Sequence, residues 1–66
     1  MSRVINVRLL EAGMRIALAD GATAEVVSNP RDGVWVVCRY VASPTDASRV
    51  GTEAMIFAQE VVGLLD

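Results

Sequence analysis

The sequence lacks histidine and lysine, and Cys38 is its single cysteine. One cysteine excludes an intrachain disulfide, and the absence of histidine excludes an ordinary zinc site. There is also no glycine-rich phosphate loop. A chain without these groups would need a partner to complete an active site, so we expect a protein that is not an enzyme and that holds no metal and no cofactor.

A basic stripe is also missing. The six basic residues are all arginine and are dispersed along the chain, while eight acids give a net charge of −2. A nucleic-acid surface normally needs clustered positive charge, so this balance argues against nucleic-acid binding. The exclusive use of arginine, together with abundant alanine and valine, is typical of a GC-rich bacterial genome.

No long hydrophobic run is present. Asn6 and Arg8 interrupt the apolar residues of 4–10 before they reach the length of a signal peptide. Nothing approaches the roughly 20 apolar residues of a membrane helix. We therefore expect no membrane contact and a cytoplasmic location, with which an unpaired cysteine agrees.

The chain is short but strongly apolar. Its 66 residues allow one domain, which we expect to span 1–66. A core of this size rarely supplies more than about 3–5 kcal/mol of stability. Yet 53% of the residues are apolar, and the mean hydropathy is +0.42. Because disulfides and zinc are excluded, we expect a homo-oligomer, or another protein partner, to cover the surplus apolar surface.

Short apolar runs separated by turn signals predict an all-β fold. Residues 19–21 and 29–33 each interrupt an alternating run, as tight hairpin turns do. In the first run, Ile5, Val7 and Leu9 alternate with polar residues and so share one predicted side. The pattern predicts antiparallel strands at 4–10, 14–18, 23–27 and 34–41, followed by a polar loop at 42–51.

The C-terminal part has two interpretations. Strands at 53–57 and 61–64, joined by a tight turn, would place Met55 and Phe57 on one face. A short helix within 53–62 is the alternative, because alanine, methionine, glutamine and glutamate favour helices. Two adjacent valines followed by glycine favour the strands.

Three segments follow one another at the start of the predicted meander: Gly13-Met14-Arg15-Ile16, Asp20-Gly21 and Ala24-Glu25-Val26-Val27. They are similar to the opening of KOW-type and Tudor-type barrels, in which a glycine precedes the first strand and a small residue precedes the valines of the second. From Glu11 onward the chain thus resembles a small SH3-like barrel of five or six antiparallel strands, with one short helical turn near the C-terminus as an option. Such barrels serve many roles, so the resemblance implies fold alone.

The predicted strand at 34–41 has two different faces. Its two-residue period places Val36, Cys38 and Tyr40 on one side together with Val34, and we expect this side to join the core. Cys38 would then be a buried, inert thiol without a histidine to activate it.

The other face of this strand is the predicted interaction surface. It carries Trp35, Val37 and Arg39, a combination of aromatic, aliphatic and arginine side chains that is enriched at interfaces. Arg15 would join it if the first barrel strand lies nearby. The alternative role for Trp35 is to close one end of the barrel.

The acidic residues lie mostly in predicted turns. Asp20 and Asp32 each precede a glycine, as hairpin turns prefer, and we expect turn formation rather than acid–base catalysis from them. Asp46 lies in the polar loop, where it is either solvated or able to contact a cation or a phosphate.

Two functions of different classes follow from these observations. The first is a non-enzymatic bacterial accessory or protein-interaction module that self-associates through an apolar strand face. The alternative is a small nucleic-acid-binding barrel in which Arg15 and Arg39 contact phosphates and Trp35 stacks on a base.

Overall fold

The computed structural model describes residues 5–65, and these form a single antiparallel sheet with three short 3₁₀ turns. The all-β class and the single sheet of short strands are confirmed. The strands are β1 (Arg15–Leu18), β2 (Thr23–Ser28), β3 (Trp35–Ala42), β4 (Glu53–Phe57) and β5 (Val61–Leu64).

The five strands lie in the order β4-β3-β2-β1-β5. Neighbours in sequence pair from β1 to β4, and β5 returns to pair with β1. Within the described residues, β4 and β5 are therefore the two edge strands of the sheet.

One face of the curved sheet holds the core. In β3, Val36, Cys38 and Tyr40 are buried as their alternation predicts, whereas Val34 is 53% exposed. The prediction for Val34 was wrong, because Val34 precedes β3 and lies at the very end of the β3–β4 ladder, where its side chain is not covered by the core. The buried core consists of Val7, Leu10, Ile16, Leu18, Ala22, Ala24, Val26, Val36, Cys38, Tyr40, Ile56 and Val61.

The described part of the N-terminal segment is not a strand, so residues 5–65 contain five strands. Val7–Leu9 form a 3₁₀ turn that buries Val7 and Leu10 and leaves Leu9 66% exposed. Burial of residues three apart suits the three-residue period of a 3₁₀ helix, whereas a strand would have buried Leu9. Asn6 caps the turn by accepting a hydrogen bond from the Arg8 N–H at 3.1 Å. Val4, also in the predicted strand, lies outside the described residues.

Asn29 fastens this N-terminal segment to the sheet. Its Nδ2 donates to the Val7 carbonyl at 2.9 Å and to the Leu10 carbonyl at 2.8 Å. Its Oδ1 accepts from the Arg31 N–H, and Arg31 has a positive φ of 65°. The Asn29 side chain thereby donates to two backbone carbonyls of the N-terminal segment, which in a strand would accept from a neighbouring strand.

The C-terminal strands have the predicted bounds, and the helical alternative is wrong. The connection Ala58–Glu60 is a single 3₁₀ turn. It is held from both sides, because Glu60 Oε2 accepts from the Phe57 N–H at 3.1 Å and the Glu60 carbonyl accepts from the Ala19 N–H at 2.9 Å.

Candidate interaction surface

The outer face of the sheet carries a row of alternating charges. The strand register places Arg15 opposite Glu25, Glu25 opposite Arg39, and Arg39 opposite Glu53. Arg39 Nη2 lies 2.9 Å from Glu53 Oε2. Arg15 and Arg39 thus share the face predicted for them, but Glu25 lies between them and their strands are roughly 10 Å apart.

Beside this row lies an apolar patch on β3 and β4. Trp35 is paired with Phe57, and Val37 is paired with Met55. Met55 is 51% exposed and Phe57 is 43% exposed, while Trp35 and Val37 are half-buried. We call these side chains the Trp35 patch: Trp35, Val37, Met55 and Phe57.

The predicted surface residues therefore divide into an apolar pair and two rim charges. Trp35 and Val37 belong to the patch, Arg39 borders it, and Arg15 lies two strands farther along the charged row. Sequence alternation had placed Met55 and Phe57 on one face. It could not show that this face continues that of Trp35, because strand pairing joins residues distant in sequence.

Two hydrogen bonds establish the phase of the β3–β4 ladder. The Tyr40 N–H donates to the Thr52 carbonyl at 2.9 Å, and the Ala58 N–H donates to the Val34 carbonyl at 2.8 Å. Hydrogen-bonded and non-hydrogen-bonded pairs alternate along an antiparallel ladder. These two bonds enclose the ladder, so every second pair between them is also hydrogen-bonded.

This phase determines which groups of β4 face the open edge. Ala54 and Ile56 direct their backbone N–H and C=O groups toward β3. Glu53, Met55 and Phe57 direct theirs away from the sheet. At Phe57 both backbone groups belong to the turn Ala58–Glu60, because the N–H donates to the Glu60 carboxylate and the carbonyl caps the start of the turn. Glu53 and Met55 thus carry both exposed side chains and outward backbone groups of β4.

Two exposed carboxylates have structural partners. Asp20 Oδ1 accepts from the Ala22 N–H at 3.0 Å, and Asp46 Oδ1 accepts from the Ser48 N–H at 3.1 Å. The backbone donor lowers the pKa of Asp20, and the Ser48 hydroxyl and N–H lower the pKa of Asp46. Asp20 forms the hairpin turn predicted for it, and Asp46 caps the 3₁₀ turn Ala47–Arg49. In residues 5–65, no group of three or more acidic, cysteine or histidine residues could hold a metal ion.

Arg49 connects the polar loop to the first hairpin, which the sequence did not indicate. Its guanidinium carbon lies 4.1 Å from the centre of the Tyr40 ring. Its Nη1 lies 3.2 Å from Asp20 Oδ2. The two contacts hold the loop against Tyr40 of β3 and against the turn between β1 and β2.

Cys38 lies at the centre of the core and is fully buried. Burial raises the pKa of its thiol to about 11. A thiol in this state is almost entirely protonated near neutral pH, so it behaves as a small apolar side chain.

Among the residues that the structure describes, no helix has the length and apolar character needed to cross a membrane. Comparison of the chain with protein-family models, with curated proteins and with solved structures gives no match.

Proposed function

We propose that this protein is a non-enzymatic interaction module of the bacterial cytoplasm that binds a second copy of itself through the Trp35 patch. The observation that carries the proposal is the pairing of Trp35 with Phe57 and of Val37 with Met55, next to an open sheet edge. Aromatic and methionine side chains, bordered by an arginine, are typical of an interface centre.

The size of the domain supports the same proposal. A chain of 66 residues has a small core. Each large apolar side chain that stays on the surface adds no buried area to the core, so it contributes little to stability. Covering part of the patch with a second copy removes apolar area from water in both copies at once. Arg39 and Arg15 then form the rim of the interface and its polar surroundings.

The SH3-like resemblance is part of this proposal. Five short antiparallel strands, with a single turn before the last one, support it. The nucleic-acid alternative draws no support from the outer face, because each arginine of the charged row has a glutamate as a strand neighbour. We expect no retention on DNA or RNA at low salt.

Light scattering coupled to size exclusion over a concentration series tests the proposal. We expect the wild-type chain to form a dimer that survives high salt, because apolar contacts are not screened. Met55→Lys introduces a charge into the patch and should give a monomer. Val62→Lys is the matched control, since Val62 is 58% exposed but lies on β5, outside the patch.

Trp35 offers a second measurement, because it is the single tryptophan and lies in the patch. Because Trp35 lies beside Phe57 of the edge strand, its emission should change as the concentration rises, with the same midpoint as the light-scattering transition. A wild-type chain that stays monomeric at every concentration would overturn the proposal. So would a dimer that is equally stable with Met55→Lys.

A further inference from the structure

The two edges of the sheet differ in their readiness to accept another strand. All the residues of β4 pair with β3 without a register shift. The pairing of β5 with β1 contains a shift between Ala17 and Leu18. A bulge twists an edge strand, so another strand pairs with it less readily. A regular edge strand exposes a row of backbone N–H and C=O groups with which another strand can pair. The regular edge is the one that borders the Trp35 patch.

The charge that β4 itself carries is neutralised within each copy, and the neighbouring Glu60 carboxylate is bound to the Phe57 N–H. Glu53 is the charged residue of β4, and its carboxylate lies 2.9 Å from the Arg39 guanidinium. Natural edge strands often carry unpaired charges that repel a second strand. In this chain the ion pair leaves β4 nearly neutral to an approaching strand.

We infer that the second copy binds edge to edge, β4 antiparallel to β4, with the twofold axis passing beside Met55. The inference rests on the proposed function and specifies its geometry. Met55 directs both its N–H and its C=O outward, so two copies of Met55 can exchange both hydrogen bonds. A twofold axis requires this self-complementarity, because the same patch must serve both sides.

Charge and hydrogen bonding together select this register. Placing Glu53 opposite Glu53 of the other copy would set like charges face to face, which is unfavourable. Centring the pair on Met55 instead sets Glu53 opposite Phe57 of the other copy. The Phe57 N–H keeps its bond to Glu60, and the exchange between the two copies of Met55 supplies the central hydrogen bonds of this register.

The side chains agree with this arrangement. In the joined sheet, the two Met55 side chains lie beside each other on the outer face, and Val37 of each copy flanks them. Phe57 of one copy lies next to Glu53 of the other, whose carboxylate remains paired with its own Arg39. The other copy thereby covers Met55 and Phe57, the part of the Trp35 patch that lies on β4, while Trp35 and Val37 lie behind them on β3.

Cysteine substitutions test this geometry. Paired residues at the axis have Cα atoms about 5.5 Å apart, which suits a disulfide. Met55→Cys should therefore form a disulfide-linked dimer under mild oxidation. Val37→Cys is the matched control on the same face, because three strand spacings separate the two copies by roughly 14 Å. It should remain unlinked, and the native Cys38 is buried and does not compete.

Met55→Pro provides an independent test that does not depend on disulfide chemistry. Proline removes the Met55 N–H, which faces the open edge, and leaves the β3–β4 ladder intact. We expect loss of the dimer with an unchanged far-ultraviolet circular dichroism spectrum. Met55→Leu keeps the N–H and an apolar side chain, so its dimer should persist.

The outcomes separate the two proposals. A wild-type dimer whose Met55→Cys variant stays unlinked, or whose Val37→Cys variant links instead, overturns the edge geometry and leaves the interaction module standing. The second result indicates that the outer faces stack on each other. A wild-type chain that is always monomeric overturns both proposals. Species that grow beyond a dimer indicate pairing of β4 with β5, which also contradicts the twofold axis.

Discussion

Arg39 and Glu53 face each other across β3 and β4, with 2.9 Å between Arg39 Nη2 and Glu53 Oε2. Both side chains are about half exposed, so water screens the attraction and the pair contributes at most about 1 kcal/mol to folding. Its larger consequence concerns the edge strand, because Arg39 compensates the charge that β4 would otherwise present to a second copy.

Arg39→Ala should therefore weaken self-association more than it weakens folding. The variant leaves Glu53 as an uncompensated charge on the open edge, and a buried or crowded charge opposes strand pairing. Arg39→Ala combined with Glu53→Gln removes the charge and should restore the dimer. Analytical ultracentrifugation of wild type and both variants measures this, and failure of the double variant to recover would contradict the role given to Glu53.

The adjacent leucines of the N-terminal segment should respond in opposite ways to truncation. Leu10 is 2% exposed and Leu9 is 66% exposed. Leu10→Ala removes core contacts and should lower the free energy of unfolding by about 2–5 kcal/mol, whereas Leu9→Ala should change it by less than about 0.5 kcal/mol. Urea unfolding followed by circular dichroism compares the two. The opposite ranking would indicate a strand in place of the 3₁₀ turn.

Acid should remove the stabilisation that Asp20 supplies. Its pKa is lowered by the Ala22 N–H and by Arg49, so the ionised form stabilises the fold above the unfolded pKa of about 3.9. That stabilisation is lost as the pH falls through the lower, folded value. Asp20→Asn keeps an oxygen acceptor but loses the charge toward Arg49.

The urea midpoint of Asp20→Asn should accordingly lie below that of wild type at neutral pH. The two midpoints should converge as the pH falls through the lowered pKa of Asp20, where the wild-type carboxylate becomes protonated. A difference that persists unchanged in acid would mean that geometry, and not charge, accounts for the effect of the substitution.

Cys38 should react with thiol reagents only when the chain unfolds. It is fully buried and its pKa is raised to about 11, so at pH 8 only about one part in a thousand is thiolate. Absorbance-monitored labelling should be slow in buffer and fast in urea. Val62→Cys supplies an exposed thiol for comparison, since Val62 lies on β5 outside the proposed interface. Labelling of wild-type Cys38 as fast as that of this variant would contradict its burial.

Local patterns were sufficient to locate all five strands. Alternating side chains and Asp-Gly turns act over a few residues, so the bounds at 53–57 and 61–64 could be read directly. For the N-terminal segment, the same reasoning wrongly predicted a strand, because Ile5, Val7 and Leu9 alternate with polar residues as they would in a strand. Its conformation depends on Asn29, more than 15 residues away, whose side chain binds the carbonyls of Val7 and Leu10.

The two-residue period of a strand was enough to predict the all-β class, the inward position of Cys38, and the outward position of Trp35 and Arg39. Which strands are neighbours follows from the tertiary structure alone. Pairing of β3 with β4 joined Trp35 to Phe57 and placed Met55 at an open edge. Long-range pairing is set by how the whole chain buries its core, and no local pattern in the sequence carries that information.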